Sequence, residues 1–373
     1  MKPVLICNFF QNSVTDKRIV DRNLTAYINK QKTTAMASKK ISRLSSGKID
    51  PHILQEFFSS LPKDESVVVG PGIGKDAAVV DVDGRFVAVK TDPITFTSKN
   101  LGWYVVNINA NDIACLGAIP RWFLVTLLLP PQQKEDFLHQ FFRQLSQACQ
   151  ELKIHLVGGH TEVTPAVKRP VAIGHMIGKL QGKKIINNSD AKPGDVILLT
   201  KGLAIEGTHV IYQEKKRELI RELSSPLLKR MKDFLKNPGI SVVKEATVAT
   251  ASVDVHCMHD PTEGGLIAGL WEIATASEVG VRIKEENIPV YKETKLICKK
   301  FNLDPLSLLA SGALLIVTEK KEAEKLLSIY RKSGITCAKI GEVVSQKEGI
   351  SIIKKEKVLT FPAPPKDELN KLF

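Results

Sequence analysis

The sequence predicts a mixed α/β, or α+β, protein of two domains, and three observations carry that expectation. Apolar residues recur at helical and at strand spacing, in alternation, along most of the chain. Two strand-like runs, 77–82 and 86–90, flank Asp83-Gly84, residues that favour positive φ, so an antiparallel hairpin rules out a purely parallel sheet. Asn188-Ser189-Asp190-Ala191-Lys192-Pro193-Gly194-Asp195 forms a turn-rich linker between the halves. The length of 373 residues suits about two domains.

Residues 1–48 are set apart as a basic, Ser/Thr-rich extension with little apolar periodicity, expected to be disordered. They lack the apolar core of a secretory signal, and Met36-Ala37-Ser38-Lys39-Lys40 would make a natural start. The first domain is expected over 49–188. It opens with a short amphipathic helix over 51–60, through Ile53, Phe57 and Phe58, followed by the hairpin. A helix follows over 99–118, where Leu101, Val105, Ile108, Asp112 and Cys115 recur at spacings of three and four. Asp112 falls on that apolar face, and an inward carboxylate is costly unless it is paired or metal-bound. A strand over 122–129 ends at Pro130-Pro131, then come a helix over 132–152 and strands over 154–157 and 171–178.

The second domain is expected over 195–345. It reads as a strand over 196–200, helices across 205–250, a strand over 252–256 and a helix over 263–277. A strand over 281–284, a helix over 292–301, a strand over 313–318, a helix over 320–333 and a strand near 336–344 follow. Residues 346–373 read as a terminal strand near 350–354 and a proline-bearing tail.

Composition excludes several classes. A hydrophobic fraction of 43% with no apolar run near the roughly 20 residues of a membrane helix argues against a membrane span. Net charge is +13, but residues 1–50 carry ten Lys/Arg against three Asp/Glu, or +7 of it. The rest lies mostly as alternating Lys/Glu on helix faces, which reads as solvated surface rather than a nucleic-acid footprint. Cys7, Cys115, Cys149, Cys257, Cys298 and Cys337 show no CxxC spacing, so a zinc ribbon or disulfide framework is not indicated and a reducing, cytoplasmic setting fits.

Five stretches carry the chemistry. Gly70-Pro71-Gly72-Ile73-Gly74-Lys75-Asp76 is neither a Walker A loop nor a Rossmann fingerprint, and reads as a turn or a ligand loop. In Thr91-Asp92-Pro93 the proline forces Asp92 out of helical conformation and is expected to end its strand; Asp92 is a ligand or an Asx-turn cap. Asn111-Asp112 lies on the helix just described. In Gly158-Gly159-His160-Thr161-Glu162 the glycines allow close approach to a ligand, while a lone histidine is more often a satisfied hydrogen-bonder. Asp260-Pro261-Thr262-Glu263-Gly264-Gly265 opens a helix, whose free N–H groups attract phosphate unless Asp260 or Thr262 simply caps it. A metal reading of His256-Cys257-x-His259 lacks a fourth ligand at useful spacing. Oxygen donors of this kind, with glycine-rich turns, suit Mg2+ held between carboxylates and a polyphosphate.

At these residues the chain resembles the family of aminoimidazole ribonucleotide (AIR) synthetase, selenophosphate synthetase, thiamine-monophosphate kinase and the hydrogenase maturation protein HypE, with HypE the nearest likeness. The resemblance rests on Gly74-Lys75-Asp76-Ala77-Ala78-Val79, Thr91-Asp92-Pro93, Ala110-Asn111-Asp112-Ile113-Ala114-x-x-Gly117-Ala118-Ile119-Pro120 and Asp260-Pro261-Thr262-Glu263-Gly264-Gly265-Leu266. Ile288-Pro289-Val290 and Leu303-Asp304-Pro305-Leu306 add to it, so it spans about residues 50–345. It implies a two-domain AIR-synthetase-like fold in which the first-domain sheets of a homodimer pair into a barrel. It also implies an enzyme that uses ATP and Mg2+ to phosphorylate or activate an oxygen of a small-molecule substrate. By position, Asp76, Asp92 and Asp112 would hold Mg2+; Asn111, Gly158, Gly159 and Thr161 would line the nucleotide; Gly264 and Gly265 would meet phosphate.

Two departures qualify the likeness. The family's Gly-Asp-Thr is here Gly159-His160-Thr161, one carboxylate fewer, with Glu162 as a substitute. No cysteine follows Cys337, so the thiol-bearing tail of HypE is missing. A small-molecule kinase like thiamine-monophosphate kinase and a non-catalytic nucleotide-binding regulator are the alternatives.

Overall fold

Two mixed sheets, one in each half of the chain, organise the computed structural model, which describes residues 47, 49, 51–58, 60–180 and 184–373. The extension expected over 1–48 lies outside the described residues except at Gly47. After helix α1 (Pro51–Phe58) the first sheet is built from β1 (Val67–Val69), β2 (Ala78–Val82), β3 (Arg85–Ile94), β4 (Ala118–Leu129), β5 (His155–Val163) and β6 (Val171–Leu180). Their order is β1-β2-β3-β6-β4-β5, antiparallel except for the parallel β4–β5 pair at one edge. The β2–β3 turn is the expected hairpin, with Asp83 and Gly84 at φ 51° and 77°.

Helix α2 (Leu101–Cys115) lies against this sheet, and α3 (Glu135–Leu152) packs on α2. All fifteen residues of α2 are buried, not one face as its spacing predicts. The second half covers the remaining side, through α7 (Val243–Ser252) and β8 (Cys257–His259), so α2 is a central helix rather than a surface one. One hydrophobic cluster runs from Val69 through both halves to Leu369.

The second sheet has the order β13-β12-β9-β11-β7-β10-β8, with β7 (Val196–Thr200), β9 (Gly280–Lys284), β10 (Leu315–Thr318), β11 (Cys337–Val344), β12 (Ile350–Lys354) and β13 (Lys357–Thr360). Between α2 and α7 in chain order come α4 (Ile205–Glu214), α5 (Lys216–Leu219) and α6 (Ser225–Asp233). Helices α8 (Gly265–Ser277), α9 (Lys292–Phe301) and α10 (Lys320–Lys332) complete the half. Among the described residues no helix is long and apolar enough to cross a membrane.

Several boundaries differ from expectation. The strand expected over 252–256 is displaced to 257–259, because α7 runs through Ser252 and pairing with β10 begins only at Cys257. Pro93 does not end β3, which continues to Ile94; there β3 pairs with β6 alone, and the edge away from β6 needs no N–H from proline. Gly158–Glu162 lie inside β5 rather than beyond a strand end, paired throughout with β4. The tail is packed: Asp367 and Leu369 are buried, and Glu368 N–H donates to Ser307 O at 3.2 Å.

Candidate functional site

Alternation along β3 points Ala88, Lys90, Asp92 and Ile94 to the face beneath α2. On the adjoining strand β6, Gly174 and Gly178 leave room for that helix. A Cβ on Gly174 would stand 2.3 Å from Asn109 Nδ2, and one on Gly178 2.2 Å from the Ile113 side chain. This close seating brings Asp112 onto the strand: Lys90 Nζ lies 3.1 Å from Asp112 Oδ2 and 3.7 Å from Asp92 Oδ2. Asn109 Nδ2 donates to the main-chain oxygen of Asp92 at 3.3 Å.

The second half closes the site through the end of β8. His259 Nδ1 meets Asp76 Oδ2 at 2.8 Å, and its Nε2 meets Glu272 Oε2 of α8 at 2.8 Å. Asn188, in the linker, donates through Nδ2 to Asp76 Oδ2 at 3.1 Å and to Gly74 O at 2.8 Å. Lys75 turns to the same linker, bonding Ser189 Oγ at 2.7 Å and Asn187 Oδ1. The expected connector thus anchors the glycine loop. Beyond His259, Asp260 is fully buried, and its Oδ1 receives the Cys115 thiol at 3.5 Å. Ligand atoms of Asp76, Cys115 and Asp260 lie within 4.8 Å of one another.

Four carboxylates, Asp76, Asp92, Asp112 and Asp260, therefore converge with the ammonium of Lys90 and the imidazole of His259. Burial alone would depress Lys90, but Asp112 and Asp92 outweigh it and hold the ammonium above the ordinary lysine range. Burial would likewise depress His259; Asp76 and Glu272 reverse this and keep it an imidazolium. Burial, reinforced by Asp76, pushes Asp260 up to about 7. Burial and the neighbouring Asp260 also raise the Cys115 thiol, leaving it protonated.

The other expected residues sit apart from this cluster. Asn111 turns its amide to the second half: Nδ2 donates to Ile240 O at 2.9 Å, and Oδ1 accepts from Val242 N–H at 2.9 Å. Gly158, Gly159 and Thr161 lie on the exposed edge strand β5. Gly159 shares a cross-strand row with Val125, Gly174 and Asp92, which puts it three strands, or about 14 Å, from Asp92. His160 and Glu162 point to the opposite face and approach each other at 3.6 Å, so Glu162 does not join Asp92 within one chain. Gly264 and Gly265 take positive φ, 80° and 65°, at the start of α8, as expected of a glycine-rich helix opening. Gly264 N–H, however, donates to Asp367 Oδ2 at 2.8 Å, so the helix start already holds an anion of this chain's own tail.

Lys90 and Asp367 lie outside the motifs legible in the sequence, and Asp260 reads there as part of a helix opening or as its cap, not as a metal ligand. A signal for Asp260 was present: His259-Asp260-Pro261 repeats the Asp-Pro grammar of Thr91-Asp92-Pro93 at the end of a strand. Lys90, two residues before Asp92, shares its strand face by simple alternation. Asp367 had no such signal.

The donor set fits a hard cation. Asp76 and Asp260 converge with oxygen ligands, and Asp260 Oδ2 is buried with no hydrogen-bond partner among the described residues. The protonated Cys115 thiol is a poor ligand for Mg2+ and instead satisfies Asp260 Oδ1.

The sequence agrees with known proteins over the same span. Residues 74–180 match the model of the AIR synthase related protein, N-terminal domain, and residues 192–354 that of the C-terminal domain. A thiamine-monophosphate kinase of Buchnera aphidicola subsp. Schizaphis graminum is 26% identical, over 83% of this chain and 95% of its own. A carbamoyl dehydratase HypE of Rhizobium leguminosarum bv. viciae is 27% identical, over 73% of this chain and 77% of its own. The crystal structure of the hydrogenase maturation protein HypE in complex with ATP superposes with a TM-score of 0.61 at 25% identity, covering 79% of this chain and 91% of that one. Two mixed sheets in sequence, the carboxylates at their seam and both matched domain models lead to one assignment: the chain belongs to the AIR synthase related family.

Proposed function

We propose that this chain is an ATP- and Mg2+-dependent enzyme that phosphorylates, or otherwise activates, an oxygen of a small-molecule substrate. The observation that carries this reading is the meeting of Asp76, Asp92, Asp112 and Asp260 at the seam of the two halves, with Asp260 Oδ2 buried and without a partner. Asp76 and Asp260 are the pair left to take Mg2+ directly, and Asp92 and Asp112 complete the negative cluster. When bound, Mg2+ neutralises phosphate oxygens and aligns the transferring group. His259 and Asn188 hold Asp76 in place through its Oδ2, which leaves Oδ1 for the ion. Gly158, Gly159 and Thr161 offer backbone along the β5 edge, and Gly264 offers an N–H from which Asp367 must first withdraw, while Gly265 N–H donates to Thr262 O at 3.1 Å.

A homodimer in a reducing, cytoplasmic setting belongs to the same reading. Among the described residues the sheet face opposite α2 has no second layer, although half-buried Val87, Val89, Leu124, Leu128, Ile173 and Ile177 line it. The cysteines among the described residues are all free.

A small-molecule kinase is the second reading, and one observation bears on it: Cys337 lies in β11 with its thiol pushed up to about 12 by burial, which makes this cysteine a poor nucleophile for thiol-carried dehydration.

Calorimetry with ATP, with and without Mg2+, tests the reading: tight binding that requires Mg2+ and falls tenfold or more in Asp260→Asn is expected. Unchanged affinity in that variant refutes it. Turnover with a panel of phosphates and amides then separates phosphorylated from dehydrated products; binding without any turnover identifies a regulator.

A further inference from the structure

Lys90 stands where its strand calls for an apolar residue. Ala88 and Ile94, on the same face of β3, are buried beneath α2. A buried ammonium is costly unless anions meet it. Here two do, Asp112 Oδ2 at 3.1 Å and Asp92 Oδ2 at 3.7 Å. These are two of the three carboxylates that sequence alone would give to a metal. Two buried carboxylate oxygens of the cluster lack a hydrogen bond among the described residues, Asp112 Oδ2 and Asp260 Oδ2; Lys90 faces the first, whereas the second, beside Asp76, has no ion-pair partner there.

We propose that Lys90 is a built-in cation that takes the place of a divalent ion between Asp92 and Asp112. The inference rests on the Mg2+-ATP reading of the same cluster and deepens it. A tethered ammonium brings one charge rather than two, never exchanges with solution and needs no stripping of a hydration shell from a free ion. The chain therefore compensates part of its carboxylate cluster before any ion or nucleotide arrives. It loads fewer divalent ions than four carboxylates would otherwise accept.

Mn2+, a paramagnetic stand-in for Mg2+, provides the test, titrated into the full chain without nucleotide while electron paramagnetic resonance counts the free ion. Lys90→Met keeps the length and apolar packing of the stem but removes the charge. It is expected to bind one Mn2+ per chain more than the unmodified protein. The double variant Lys90→Met/Asp112→Asn should lose that added ion, since half its ligand pair is gone. Asp112→Asn alone should leave the Mn2+ count unchanged, because Lys90 and not an ion occupies its carboxylate. Circular dichroism checks folding, and if Lys90→Met does not fold, the Asp112→Asn titration decides alone. No added ion in folded Lys90→Met, or loss of an ion in Asp112→Asn, overturns the proposal. The count in the unmodified protein speaks to the other reading. No bound Mn2+ there, with one gained in Lys90→Met, removes Asp76 and Asp260 as an ion site and leaves the role of Lys90 standing.

Discussion

Replacing Asn111 with alanine should destabilise the protein by about 2–4 kcal/mol while leaving the carboxylate cluster chemically intact. The amide of Asn111 is fully buried, and both of its polar atoms are bonded across the seam, to Ile240 O and Val242 N–H, each at 2.9 Å. Ile240 and Val242 are themselves buried, so water does not replace the lost partner. Each buried main-chain group left unsatisfied costs about 1–3 kcal/mol, and some relaxation trims the total. An unfolding entropy of roughly 2.1 cal/mol/K per residue makes 1 kcal/mol worth about 1.3 °C in a chain of this length, so a melting temperature lower by about 2.5–5 °C is expected. Differential scanning calorimetry reads that shift, and isothermal calorimetry with Mg2+-ATP runs in parallel. Asn111→Asp should fall at least as far, because a carboxylate cannot donate to Ile240 O. A change below about 1 °C, together with a tenfold loss of nucleotide affinity, would show that the amide serves the ligand and not the seam.

Three further outcomes follow from the same structure. Sedimentation equilibrium at micromolar concentration should give about twice the chain mass of 41.2 kDa, and a monomer mass would leave the open sheet face without its partner. Glu206, buried in the first turn of α4, is raised from 4.5 to about 8 by burial, with Asp367 and Asp260 adding to it. The folded state therefore holds this proton more tightly than the unfolded chain, so stability falls as pH rises from about 4.5 through about 8. At 1.36 kcal/mol per unit the loss is at most about 4–5 kcal/mol, and Glu206→Gln should flatten urea-denaturation midpoints between pH 5 and 8; an unchanged slope would refute this. Asp367→Ala removes the side-chain acceptor of both Gly264 N–H and Leu369 N–H, each 2.8 Å away, and should lower stability by about 1–2 kcal/mol in the same titration.

Local chemistry in the sequence was enough for much of the fold. The Asp83-Gly84 hairpin follows from residues that accept positive φ, and the spacing of apolar residues placed α9 at Lys292–Phe301 as observed. These features depend on neighbours within a few residues. Strand ends did not follow the same logic: β3 passes through Pro93 and β5 runs on to Val163, because hydrogen-bonding partners on β6 and β4 extend them. The site divides in the same way. Asp76, Asp92 and Asp112 were legible as oxygen donors set beside glycine turns, a proline and an apolar helix face. Their partners were not. His259 reaches Asp76 from 183 positions away, Asn111 reaches Val242 from 131, and Asp367 reaches Gly264 from 103. Only the packing of the second half onto α2 brings these groups together and removes water from around them. The charge at Lys90 looks like any other in the sequence; its place 3.1 Å from the buried Asp112 makes the pair part of a site.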